Sequence, residues 1–424
     1  MAGHSKRKNV AVIGAGERGV YVLGARTAEM AAETGLVVRV LCDINQDRAR
    51  EGRDYLLSLY QKHGVAAEIE LEDDFRAAIH RDDIDIVFVT NFTSGHREPA
   101  VEAIRAGKQV YLDKPMATTL EDAEAIVRAE RSSSQRLIMG FTRRYEHSWR
   151  SLVDLLRDGT IGKLQTILLR SVIPYARYLQ RWHRDQKRSG GALNDKVSHY
   201  FDALNWIAGA PPESLHADGG RSEVFAPDPT APARCRECDR ICPFRALPSE
   251  TVPEIGTVYK LDPDYKKQDV GIFSRPSWRQ ATTEDAQIDN CVFSPDVDII
   301  DHALVTIRYQ NGVKASLFWN IFGPSADDEE TIELVGASGR ARLERGTGRI
   351  DVVSDYGAHT ELRDARGPHF GSSHFGADIE LLREIKRHGE GAEPIAGTED
   401  GLLSLRMVLA TEESIASGGR PIHF

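Results

Sequence analysis

The sequence has no apolar run near the roughly 20 residues that a membrane-spanning helix requires. Its first strand-like stretch also lacks the layout of a secretory leader, so a cytoplasmic chain with no membrane partner is expected. Positive charge is in short supply. The 54 Lys and Arg stand against 64 Asp and Glu, a formal charge of −10, which argues against a general nucleic-acid binder, whose phosphate contacts need a concentrated excess of Lys and Arg. The one basic cluster, Lys6-Arg7-Lys8, reads as a solvated leader. Cysteine is scarce too. Only five occur in 424 residues, and four of them lie between Cys235 and Cys291; that uneven placement matters more than the count. What remains is 41% hydrophobic and 28% charged, an ordinary globular composition long enough for two domains with real cores.

Asn9-Val10-Ala11-Val12-Ile13 is a short apolar run suited to a buried parallel strand, and it passes directly into Gly14-Ala15-Gly16-Glu17-Arg18-Gly19. In this GxGxxG pattern the first glycine permits a tight turn, the second lets backbone approach a pyrophosphate, and the third lets a helix pack closely on the strand. Amides at the start of that helix attract the anion, which places Glu17 and Arg18 beside a dinucleotide. A helical stretch, roughly Val20 to Thr34, leads to Gly35 and a second strand, Leu36 to Cys42, which ends at Asp43. Asp43 lies 24 positions beyond Gly19, close to the roughly 20 expected for a ribose-binding acid. A carboxylate there accepts from both ribose hydroxyls and repels a 2′-phosphate, which favours NAD; Arg18 and Arg48 leave NADP open. The competing reading of Asp43 is a turn or helix cap.

Ile84 to Thr90 is another buried-strand run, carrying Asn91-Phe92-Thr93-Ser94-Gly95-His96 at its end. An alanine-rich helix closes at Gly107, and the strand Val110-Tyr111-Leu112 stops at Asp113-Lys114-Pro115. Thr118 to Asp122 offers a helix start, and Leu137 to Phe141 one more strand. Alternating strands and helices imply a Rossmann-type, doubly wound parallel sheet, in which ligands bind outside the carboxyl ends of the strands. Lys114 therefore points toward a ligand crevice, or else is a surface lysine beside a turn proline.

Later in the chain, Gly190-Gly191-Ala192-Leu193-Asn194-Asp195-Lys196-Val197-Ser198-His199 opens a helix. Val197, Phe201, Leu204 and Ala208 recur at helical spacing, and Asp195 and His199 share the opposite face. A solvated amphipathic helix capped by Asp195 would look the same.

The order of glycine turn, acidic strand end, Asn91 loop ending in His96, and Asp113-Lys114-Pro115 resembles the Gfo/Idh/MocA family of nicotinamide-dependent oxidoreductases. Gly190 to Asp202 is similar to the family's glycine-led motif, and Gly397-Thr398-Glu399-Asp400-Gly401 with a final helix is similar to its tail. The resemblance implies hydride transfer between NAD(P) and a ring hydroxyl of a sugar, sugar derivative or cyclic polyol. It further implies catalytic roles for Lys114, Asp195 and His199, cofactor contacts at Gly14, Gly16, Glu17, Arg18, Gly19, Asp43, Asn91, His96 and Lys114, a cis Lys114-Pro115 bond, and a homo-oligomer, dimeric or tetrameric. Glycoside cleavage or epimerisation through transient ring oxidation is the alternative reaction, and a non-enzymatic dinucleotide-binding regulator the third. Lys196 and Val197 depart from the family's usual aliphatic residue and glycine. Trp182-His183-Arg184 adds candidate substrate contacts, while His374 and Asp378 read as turn or capping residues.

The expected domains are 1–145, the dinucleotide-binding unit, and 146–424, an α+β unit with a large, mainly antiparallel open sheet. Strands are expected over Lys163 to Ile173 and His302 to Ile321, the latter broken by an Asn311-Gly312 hairpin signal, with a second hairpin formed by Thr331 to Val335 and Ala341 to Glu344. An irregular insert at about 218–297 carries Cys235, Cys238, Cys242 and Cys291. Four thiolates could hold a structural zinc; free thiols or disulfides are the alternatives, because the spacing is not a paired CxxC…CxxC. Cys42, inside a strand, reads as a small buried apolar residue.

Overall fold

Six short strands, rich in apolar residues, form the first sheet among the described residues. They are β1 (Lys8–Ile13), β2 (Leu36–Cys42), β3 (Glu70–Glu72), β4 (Ile86–Val89), β5 (Gln109–Leu112) and β6 (Leu137–Met139). The order is β3-β2-β1-β4-β5-β6, and every neighbouring pair is parallel. Every residue of β4, β5 and β6 is buried, the signature of a sheet covered on both faces. Strand order reverses between β1 and β4, and that is where a doubly wound sheet opens a ligand crevice.

The computed structural model describes residues 7–247, 249–252, 288–323 and 329–424. Lys6, Pro248 and residues 253–287 of the insert lie outside the described residues. The chain divides into two units, Met1–His147 with Gly367–Leu405, and Ser148–Arg366 with Arg406–Phe424. Residues 367–405 thus return to the first unit, where the helix Ala377–His388 adds Leu381, Leu382 and Ile385 to a core containing Val10, Phe88 and Ile138. The first helix is in pieces: Glu17–Gly24 is π-helical, Ala25–Glu29 and Ala31–Thr34 are α-helical, and Gly35 ends the run at φ 74°. Thr119 caps Leu120–Arg131 by accepting from the Asp122 amide.

The second unit holds nine strands among the described residues: β7 (Leu164–Val172), β8 (Pro212–Gly220), β9 (His302–Tyr309), β10 (Lys314–Asn320), β11 (Glu329–Gly336), β12 (Arg340–Glu344), β13 (Arg349–Ser354), β14 (His359–Asp364) and β15 (Ile422–His423). They run β14-β13-β12-β11-β7-β10-β9-β8-β15. All pairs are antiparallel except β10 with β7. Alternate residues of β9 are buried, because one face packs on the core and the other does not. The Asn311-Gly312 turn joins β9 to β10 as expected, with Gly312 at φ 87°. Trp319, Leu317, Leu334, Tyr200 and Phe201 fill the core. Among the described residues, no helix is long and apolar enough to cross a membrane.

Leu317 is fully buried on β10, whereas Leu362 stands on β14, whose residues are all exposed. Leu317→Ala is expected to cost about 2–5 kcal/mol through lost burial and a residual cavity, and Leu362→Ala less than about 0.5 kcal/mol. Urea unfolding of the two variants against the parent protein measures both.

Candidate functional site

The glycine turn leaves β1 at Gly14, whose φ of 99° and close approach to Asn91 forbid a side chain; a Cβ there would lie 2.6 Å from the Asn91 amide nitrogen. A Cβ on Gly19 would meet the Gly14 carbonyl oxygen at 2.2 Å, so the helix could not seat against the turn. Gly16 differs. A Cβ built on it would touch nothing within 4 Å, so packing within the chain does not demand that glycine, and its bare backbone faces open space at the start of a helix carrying Glu17 in its first turn.

Asp43 follows β2. Its carboxylate accepts from the Ala15 amide and from the Asn45 amide, each at 2.8 Å, which locks the glycine turn to the neighbouring strand. Ile44 beside it is 79% exposed, an apolar surface that sequence patterning did not single out. Arg48 is buried.

Lys114 ends β5, half-buried, and its bond to Pro115 is cis, as the resemblance implied. Asn91 closes its own loop by donating from Nδ2 to the Gly95 carbonyl at 2.9 Å. His96 lies almost wholly buried between two carbonyls, with Nε2 3.0 Å from Asn91 O and Nδ1 3.0 Å from Pro115 O. Burial holds its pKa below the ordinary value. It therefore ties the Asn91 loop to the lysine turn.

Arg18 is committed within the protein. Nε donates to Asp113 at 3.2 Å, Nη1 to Asp378 at 2.6 Å and Nη2 to the Tyr111 hydroxyl at 3.0 Å; that hydroxyl in turn donates to Asp113 at 2.7 Å. The buried Asp378 also accepts from the Ser373 hydroxyl at 2.9 Å and pairs with His374 Nδ1 at 2.8 Å. Burial disfavours the charge on Asp378, yet attraction to Arg18 and His374 outweighs burial and holds the carboxyl well below the usual carboxylate range.

In the second unit, a π-helical turn, Leu193–Val197, runs into the helix Ser198–Ala208. Asp195, Lys196 and His199 are all buried on it, which departs from the solvated amphipathic alternative. The Tyr178 hydroxyl donates to Asp195 Oδ2 at 2.5 Å, and His183 Nε2 lies 4.0 Å from Oδ1. His183 stacks on Trp182 and meets the Tyr178 ring edge-on. Burial raises the Tyr178 phenol well above its ordinary pKa, and the Asp195 charge adds to that, so the hydroxyl keeps its proton. Lys196 Nζ sits 4.9 Å over the Tyr175 ring.

Residues 8–141 match the family model described as the oxidoreductase family, NAD-binding Rossmann fold, and residues 153–424 match the model of its C-terminal alpha/beta domain. The chain belongs to the Gfo/Idh/MocA family. Among curated relatives, myo-inositol 2-dehydrogenase of Thermotoga maritima is 28% identical over 50% of this chain and 58% of its own length. Inositol 2-dehydrogenase of Klebsiella pneumoniae is 31% identical over 46% of this chain and 53% of its own length. The chain therefore spans little more than half the length of these relatives. In fold, it is similar to an oxidoreductase domain protein from Kribbella flavida, with a TM-score of 0.73 at 19% identity over 99% of both chains. It is likewise similar to a levoglucosan dehydrogenase solved with NADH and levoglucosan, with a TM-score of 0.71 at 17% identity over 99% of both chains.

The first unit of this family member fits a dinucleotide in its donor chemistry: Gly16 leaves the open backbone that a pyrophosphate would need, and Asp43 is the fixed carboxylate that would hold a ribose. Its four insert cysteines are free thiols, and all four line one pocket. Among the described residues, however, no three His, Cys, Asp or Glu side chains are arranged as a set to hold a metal ion, so the zinc expectation is not met by a formed coordination sphere. Cys42 is buried as expected, and burial raises its thiol to about 12. Tyr178 and the roles of Tyr111 and Asp378 were missed by sequence reasoning, since each acts through a partner far along the chain.

Removing one partner of the buried Arg18–Asp378 pair strands the other's charge. Asp378→Asn is expected to destabilise by about 3–5 kcal/mol, and Arg18→Met combined with Asp378→Asn to cost less than the two single changes together. Simply additive unfolding energies would show that the pair does not act as a unit.

Proposed function

We propose that this chain is an NAD-dependent dehydrogenase that reversibly oxidises a ring hydroxyl of a sugar, sugar derivative or cyclic polyol. The observation that carries the cofactor choice is Asp43, held by two backbone amides at the end of β2. A carboxylate so placed accepts from the ribose hydroxyls and repels a 2′-phosphate. The two arginines that could have reversed that preference are otherwise placed, Arg18 on Asp113, Asp378 and Tyr111, and Arg48 buried. Ile44 offers an apolar surface beside the ribose acid. Polyol substrates are supported by the inositol dehydrogenases among the relatives.

NAD supplies the hydride acceptor when bound. His199 takes the hydroxyl proton of the substrate, Lys114 donates to the reacting oxygen and favours its alkoxide, and Asp195, held by the Tyr178 hydroxyl, orients the substrate or His199. The alternating open face of the second sheet places Leu304 directly opposite Phe318, with Leu168 one pair away, all partly exposed. An exposed apolar face of this kind supports a homo-oligomer; a single-chain mass by light scattering would remove that reading.

Titration with NADH and NADPH is expected to show tighter NADH binding, with Asp43→Ala narrowing the difference. Lys114→Ala is expected to lower turnover of a polyol substrate at least ~100-fold while NADH binding is retained. If no sugar or inositol in a broad panel changes nicotinamide absorbance, and none is converted with catalytic NAD, the dehydrogenase reading fails. Conversion with catalytic NAD and no net absorbance change would instead support the redox-neutral reaction.

A further inference from the structure

The cysteine-bearing insert is assembled with more care than loop packing requires. Its two described segments meet in a short antiparallel bridge, Arg234 opposite Asn290, with the Cys235 amide donating to the Asp289 carbonyl and the Cys291 amide to the Ala233 carbonyl, each at 2.8 Å. This brings Cys291 beside a trio that lies 49 to 56 residues earlier in the chain. Asp289 is fully buried beneath the bridge and accepts from both Arg234 and Arg236.

The loop carrying the trio is wound around one buried guanidinium. Arg245, 2% exposed, donates from Nη1 to the Cys235 carbonyl at 2.8 Å, and from Nη2 to the Cys238 carbonyl at 2.8 Å and the Arg240 carbonyl at 2.7 Å. Two of these three carbonyls belong to cysteines. The loop's shape is therefore set at the cysteines themselves.

Cys235, Cys238, Cys242 and Cys291 all line the pocket that this loop encloses. Four sulfurs gathered in one pocket of about 150 Å³ with apolar walls cannot all ionise without a cation among them.

We propose that Cys235, Cys238, Cys242 and Cys291 bind one zinc ion through four thiolates, and that this site staples the insert. Zinc takes four thiolates in a tetrahedron. The described positions of the sulfurs are not yet that tetrahedron. Rotation about χ1 moves a sulfur between staggered positions without moving backbone, so the scaffold of Arg245, Asp289 and the bridge can stay in place as the thiols converge. Each thiol releases its proton on binding, and the net charge of −2 left on the site is partly offset by the guanidinium of Arg245, which lines the pocket; Arg240, also lining it, is paired with Asp228. Burial raises the thiols of Cys235, Cys242 and Cys291 above the ordinary range, Cys235 to about 11, so a dication must compete with protons that are firmly held. In a segment with little periodicity of its own, the stabilisation supplied by such an ion goes into folding.

The test uses intact protein purified without chelator. Elemental analysis is expected to give one zinc per chain, and a thiol reagent should reach the four insert cysteines only after a chelator is added. Cys238→Ser and Cys242→Ser should each abolish zinc retention while NADH binding, a property of the first unit, stays unchanged. Replacing zinc with cobalt(II) in the parent protein should produce the thiolate-to-metal absorption of a tetrahedral site. Thiols that react freely in metal-free protein, a disulfide found by mass spectrometry among these cysteines, or iron with acid-labile sulfide would each overturn the proposal.

Discussion

A guanidinium taken out of water must be answered by negative charge, and the first unit is arranged around that requirement. Arg18 comes from the cofactor turn, Asp113 and Tyr111 from the end of β5, and Asp378 from a helix that the chain reaches 360 residues later. Because the guanidinium is a rigid planar fork, these partners must hold fixed positions relative to one another. The network therefore sets the glycine turn against the strand end that leads through Asp113 to Lys114. Its two carboxylates leave little of the arginine for any further anion. His96 does related work without charge, joining the Asn91 loop to the Pro115 carbonyl.

Arg18 and Arg245 satisfy a guanidinium in opposite ways. Arg18 faces carboxylates, so its charge is neutralised within the protein. Arg245 gives the hydrogen bonds of its two terminal nitrogens to carbonyl oxygens, which leaves its positive charge to act on the surrounding sulfurs.

Much of the architecture was legible because burial leaves a period in the sequence. Uninterrupted apolar runs such as Ile86–Val89 marked strands covered on both faces, whereas the one-sided burial of His302–Tyr309 shows only in the structure, since Leu304 is apolar on its open face. Asn311-Gly312 located a turn whose positive φ few residues accept. The strand Glu70–Glu72 was not legible, since three residues with two glutamates carry no such period. Nor was the return of residues 367–405 to the first unit, because an apolar stripe says that a helix must be covered but not by which sheet. Asp43 and Lys114 stood out as strand-end candidates from local pattern, whereas the ion pair between Arg18 and Asp378 joins positions 360 residues apart and left no local sign. Tyr178 gave no signal of its own; its role depends on the carboxylate of Asp195, 17 positions away.

The path of the backbone through the first unit carries a consequence for how the protein is made. The ribosome delivers β1 to β6 early, but Asp378 and the apolar face of its helix emerge only after more than two hundred intervening residues have been synthesised. Until then, the nascent sheet has a bare flank, and Arg18 has only Asp113 to answer its charge. The nucleotide-binding half thus cannot mature ahead of the remainder of the polypeptide. Completion of the first unit waits for translation of residues 367–405, and a chain released before them would expose the unfinished flank to quality control.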